Sequence, residues 1–145
     1  MHGKQRLPRD TAWARSQENV GAVRSIFAAT TQGDFSRWFS AVTGDFVFVA
    51  SPDVPDGGTY RGEEAKQWIT AWVESFEGHT IEATDIIDGG DKVFFEIHQR
   101  GRPRGSQVSV EGRWWVVNTF REGRIVRIEV FADHAEALEA AGLRE

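Results

Sequence analysis

The chain has no cysteine, a single methionine and a single tyrosine. Without cysteine it can have no disulfide framework, no thiol nucleophile and no thiolate metal site. No apolar run approaches the roughly 20 residues a membrane-spanning helix needs. Positive charge is also in short supply. A formal net charge of −5 argues against a function resting on phosphate neutralisation. The short basic cluster Arg100, Arg102 and Arg104 lies among Gly and Pro and reads as a solvated turn. The opening residues MHGKQRLPRDTAWAR have charge but no apolar centre, so they do not read as a secretion signal, and the cytoplasm is the expected location. The histidines and carboxylates show no close metal-ligand spacing, so neither a metal nor another cofactor is expected.

What the chain does have is rings: six Trp and ten Phe in 145 residues. That length fits one domain able to bury a core without staples. Large rings dominate core energetics, and around a hole they make stiff apolar walls. Residues 1–15 read as a flexible arm, with Trp13 free to dock on the body, and residues 16–145 as a single domain. Ser16 is placed to cap a helix carrying Val20, Val23 and Phe27 and ending near Gly33. Asp34 is placed to cap a short helix with Phe35, Trp38 and Phe39. FVFVA (46–50) is a compact apolar strand, and SPDVPDGGTYRG (51–62) reads as a loop or lid. Glu63 and Glu64 open a third helix whose stripe is Ala65, Trp68, Ile69, Trp72, Val73 and Phe76, with Gly78 as its stop. Strands over 80–87, 92–100, 108–121 and 124–131 follow, joined by tight turns, and Asp133 caps a closing helix. Helices first and hairpins after make an α+β fold, with helices gathered on one face of a curved antiparallel sheet.

This order, with PDVPDGGTYRG, GDKVFFEIHQRG, TFREGRIVRIEVF and DHAEALEAAGL, resembles the SnoaL-like family of the nuclear-transport-factor-2-like (ketosteroid isomerase-like) superfamily over residues 16–143. The resemblance implies a cone: a strongly curved sheet wrapped around N-terminal helices, enclosing a pocket open at one end. Members include isomerases, cyclases, hydrolases and proteins with no chemistry, so the resemblance speaks to fold more than to reaction.

Alternation divides each strand into two rows. Val93, Phe95, Ile97 and Gln99, then Trp114, Val116, Asn118 and Phe120, then Val126, Ile128 and Val130 form uncharged rows, assigned to the inside. The opposite rows carry charges around Phe94, Trp115, Val117 and Phe131, and Ile125 falls with them. Those four large apolar residues on one convex face lead to the expectation of a homodimer through that face. His98 points outward in this register.

The isomerases' catalytic positions map to Ser51, Ile26 and Val116, and those of the superfamily's epoxide hydrolases to Ile97, Gln99 and Val130. None of these side chains is ionisable. The pocket is expected to be lined by Phe27, Val49, Ser51, Tyr60, Trp72, Ile97, Gln99, Trp114, Val116, Asn118, Ile128 and Val130. Asn118 and Gln99 would orient a carbonyl or hydroxyl on a mostly apolar small molecule. Asp53, otherwise a turn-forming residue, and Asn118 are the catalytic candidates. Two functions stay open: an enzyme of isomerase, cyclase or hydrolase type, and a non-catalytic binding or accessory dimer.

Overall fold

A computed structural model describes residues 7–31, 36–54 and 56–143, with side chains described from residue 14 onward and not at residue 31. The elements are α1 (Leu7–Thr31), α2 (Ser36–Ala41), β1 (Val42–Ala50), β2 (Gly58–Arg61), α3 (Gly62–Glu74), β3 (Phe76–Asp88), β4 (Lys92–Pro103), β5 (Val110–Arg121), β6 (Arg124–Phe131) and α4 (His134–Ala140). They form the expected α+β architecture around one six-stranded sheet of order β2-β1-β6-β5-β4-β3. Every ladder is antiparallel except β1 beside β6, which run parallel. The helix α1 lies against β3 and β4, α3 against β1, and α4 on the opposite side against β5 and β6.

The buried stripe of α1 is Ser16, Asn19, Val23, Ile26 and Thr30, a 3-4-3-4 spacing that keeps one face inward. Three of the five are polar. Thr30 satisfies its hydroxyl by donating to the carbonyl of Ile26 at 2.8 Å. Ser16 donates to Oδ1 of Asp88 at 2.5 Å, at the end of β3. It is therefore a tether within a helix that continues back to Leu7, and not the cap expected of it. The docking of Trp13, the cap at Asp34, Phe35 and the helix end near Gly33 lie outside the described residues.

Two boundaries also shift. The third helix stops at Glu74, earlier than Gly78, because β3 already begins at Phe76; Gly78 (φ 63°) instead sits where the β3–β4 register slips between Glu77 and Thr80. The segment read as one loop over 51–62 is divided: 51–57 turns, and β2 pairs with β1 at the sheet edge.

The two-residue turn Glu122-Gly123 has φ of 51° and 81°, the mirror-image geometry whose twist suits a hairpin. One residue later the hairpin bulges. Thr119 faces Arg127 but Phe120 faces Ile125, so Val126 is the extra residue. The bulge reverses the row. Ile125 is fully buried in the core while Val126 is only half-buried, the opposite of simple alternation.

The main core fills the concave side with Val23, Ile26, Val42, Phe46, Phe48, Val93, Phe95, Val116, Phe120, Ile125 and Ile128. A second cluster lies on the convex side, where Ala137, Leu138 and Ala141 cover Phe94 and Val117. Two of the four residues expected to face a second copy are thus buried within the chain itself. Trp115 and Phe131 are the half-buried pair beside them.

Candidate functional site: an aromatic cavity with a polar floor

The concave rows of β4, β5 and β6 and the inner faces of α1, α2 and α3 leave a cavity of about 100 Å³. Four tryptophans (Trp38, Trp68, Trp72 and Trp114) and three phenylalanines (Phe27, Phe48 and Phe95) supply seven of its seventeen lining residues. These rings fix one another. Trp68 and Trp72, four apart on α3, stack with centroids 6.4 Å apart, and Phe27 meets Phe95 edge-on at 5.3 Å. The indole of Trp68 donates to the carbonyl of Asp56 at 3.2 Å, and the Tyr60 hydroxyl donates to the same oxygen at 2.8 Å, tying the 51–57 turn to α3. That turn places Val54, 6% exposed, in the wall.

Among the described residues, Thr30 and Asn118 alone bring polar side chains other than indole to the wall, and no Asp, Glu, Lys, Arg or His lines it. Asn118 is 3% exposed and its Oδ1 has no hydrogen-bond partner; the buried Nε1 of Trp114 has none either. Unpaired buried polar atoms are uncommon in folded proteins and call for a reason.

Eight of the twelve expected lining residues are brought together here: Phe27, Trp72, Ile97, Trp114, Val116, Asn118, Ile128 and Val130. Four are not. Val49 lies on the other face of β1, because Phe48 and Ala50 occupy the inward parity. The Ser51 backbone donates to Val130 and its hydroxyl accepts from the Asp53 amide, a turn role outside the wall. Tyr60 stands behind Trp68, with ring centroids 5.7 Å apart. Gln99 is buried on the inward row, with Oε1 unpaired, but beyond the cavity lining. The catalytic candidate Asp53 is exposed and does not reach the cavity.

Other lining residues had a legible signal. Trp68, Ile69 and Val73 lie on the α3 stripe and Phe95 on an inward row, whereas Thr30, Trp38, Phe48, Val54 and Ile81 were not singled out.

Ionisable chemistry lies elsewhere. On the convex face Glu96 accepts from the indole of Trp115 at 3.2 Å and pairs with Arg113 at 2.9 Å and His98 at 2.6 Å, so His98 does point outward. Behind the cavity wall, His79 meets Trp72 edge-on at 5.4 Å, and burial pushes its pKa below the usual imidazole value.

The described residues contain no helix long and apolar enough to cross a membrane. Three solved structures show the same fold at low identity. TerC co-crystallised with polyporic acid is 19% identical, with a TM-score of 0.69, covering 86% of this chain and 98% of that one. An NTF2-like protein from Burkholderia pseudomallei is 21% identical with a TM-score of 0.70, covering 84% and 95%. A putative SnoaL-like polyketide cyclase from Jannaschia sp. is 17% identical with a TM-score of 0.67, covering 89% and 94%. No curated protein matches the chain significantly. The model of the SnoaL-like domain matches residues 23–128, the stretch that supplies nearly the whole cavity wall, and the chain belongs to that family, with an NTF2-like fold.

Proposed function

We propose that this protein binds a small, mostly apolar molecule in the cone cavity and holds it without acid–base catalysis. The observation that carries this reading is the wall itself: a ring-lined hollow, open to a ligand, with no ionisable side chain among the described residues. Proton abstraction or water activation needs a titratable group within hydrogen-bond reach of the reacting atom. At the positions to which the superfamily resemblance maps the catalytic groups stand Ile26, Val116, Ile97 and Val130, all apolar, the neutral Gln99, which lies beyond the cavity lining, and Ser51, occupied with its own turn. The test is titration with a simple apolar probe such as toluene, followed through tryptophan fluorescence. Saturable quenching in the wild type, lost on Trp72→Ala, supports the reading; no saturable response at millimolar toluene sinks it.

The unpaired Asn118 favours a second reading, an enzyme that works by orienting its substrate, as the cyclase-type relatives suggest. Turnover of an aromatic carbonyl substrate that collapses with Asn118→Leu would establish it.

We also propose a homodimer through the convex face, with Trp115 and Phe131 against a second copy, where they continue the apolar surface that α4 begins.

A further inference from the structure

Asn118 marks the floor of the cavity. Across β5 it faces Val93 on one side and Ile128 on the other, both buried. One inward step beyond it, Phe120 faces Ile125 at 5% and 0% exposure, and there the core is solid. The second polar group of the wall, Thr30, has committed its proton to the Ile26 carbonyl, which leaves its oxygen only lone pairs. Oδ1 of Asn118 is likewise an acceptor without a donor. The wall thus leaves over acceptor capacity at these two residues and a donor at the Nε1 of Trp114, and unmade buried polar groups are a cost that a hydroxyl, which both donates and accepts, can remove.

Three further constraints act together. The walls are aromatic and aliphatic, so the body of the ligand must be apolar. No charged side chain among the described residues lines them, so an ionised ligand would be buried without a counter-charge. The volume of about 100 Å³ compares with an engineered apolar cavity of roughly 150 Å³ that takes one benzene. A single ring therefore needs the open side of the cavity as well as its interior, and a multi-ring compound requires the walls to move.

We propose that the cavity selects a neutral, single-ring hydroxylated aromatic, seated ring-between-rings with its hydroxyl at the floor donating to Asn118. This rests on the ligand-binding reading above and narrows it to a class. The ring packs among the aromatic side chains of the wall, and the hydroxyl proton meets Oδ1. An ether oxygen at the same place would bring a second acceptor against the first, which is unfavourable.

Calorimetric titration of the full chain with phenol, anisole, toluene and tetramethylammonium tests this. Phenol should bind about tenfold more tightly than toluene or anisole, the scale of one hydrogen bond to a buried acceptor. In Asn118→Leu, which keeps the branching of the side chain and removes the acceptor, phenol should fall to the level of toluene while toluene still binds. If that variant does not fold by circular dichroism, Asn118→Ala, which also lacks the acceptor, carries the same comparison. Equal binding of phenol and toluene by the wild type, or a phenol preference that survives loss of the amide, overturns the donor assignment and leaves the apolar cavity standing. Tightest binding of tetramethylammonium would mean that the rings form a cation cage and would overturn neutrality. Absence of binding by all four overturns the ligand-binding reading and this inference with it.

Discussion

Ser16 on the first helix donates to Asp88 at the far end of β3, 2.5 Å apart in space and 72 residues apart in sequence. The contact pins α1 across the sheet, and Asp88 in turn accepts from the Gly90 amide at 2.8 Å, so one carboxylate oxygen sets both the turn and the helix position. Ser16→Ala removes the long-range bond but leaves the turn bond, so the loss should be that of one ordinary hydrogen bond, about 1 kcal/mol. Thermal unfolding should move down by about 3 °C, with the circular dichroism of the native state unchanged.

Gly57 closes the turn that carries Val54 into the cavity wall. A side chain there would place Cβ 2.1 Å from the carbonyl oxygen of Ser51, which is itself bonded to the Val54 amide. Backbone is on both sides of that clash, so the turn must open. Gly57→Ala should destabilise by about 2 kcal/mol. It should also weaken toluene binding, whereas Gly44→Ala, with open space around its Cβ, should change binding by less than about twofold.

His79 titrates against the fold. Burial between Trp72 and Phe76 lowers its pKa, so the folded state disfavours the proton that the unfolded chain takes up near the ordinary value of 6.5. With the folded value depressed, stability is fully present above about pH 6.5 and declines as pH falls toward the folded pKa. Glu77 is held below its ordinary 4.5 by the hydrogen bond and charge of Arg102, so its own loss of stability begins lower. Urea midpoints between pH 7.5 and 5.5 should therefore fall in the wild type and fall less in His79→Gln. Parallel lines for the two proteins would remove His79 from the account.

How far the molecule could be read in advance depended on whether alternation was uninterrupted. On β4 and β5 it was, over the stretch that matters: Val93, Phe95, Ile97 and Gln99 and then Val116, Asn118 and Phe120 are all buried on the concave side. On β6 the period breaks at the Val126 bulge, and nothing in IVRI announces an extra residue, because Ile125 and Val126 are equally apolar. FVFVA on β1 fails for the same reason. Both parities are apolar, and only pairing with β6 decides that Phe48 faces in and Val49 out. Val54 lay hidden among prolines and aspartates, where composition says turn but cannot say that one side chain closes a wall. The burial of Ser16 on α1 was illegible because its partner, Asp88, is 72 residues along the chain.

The convex face makes the dimer testable in a specific way. Phe94 and Val117 lie under α4, so substitutions there should damage the core of each copy. Phe131 is half-buried at the margin, where a charge should break association without unfolding. Light scattering at micromolar concentration should read twice the 16.3 kDa chain mass for the wild type and the single-chain mass for Phe131→Glu. A wild-type monomer would dismiss the second copy and leave the α4 cover as the full explanation of that apolar row.

Asn118 has a consequence for stability as well as for binding. Its Oδ1 is buried with no partner among the described side chains, so the amide is held at a cost. Replacing it with an apolar side chain of the same branching removes the unpaired acceptor and adds contacts to Val93 and Ile128 on either side. Asn118→Leu should therefore be more stable than the wild type by about 1 kcal/mol, with a melting temperature about 3 °C higher. A ligand that satisfies Oδ1 should erase that gap, because it binds the wild type alone with a hydrogen bond. Melting both proteins with and without saturating phenol separates the cases. A stabilised variant whose advantage shrinks with phenol identifies a residue retained for its ligand. A variant that melts lower in both conditions would show that the amide holds the core together, and its role would then be structural.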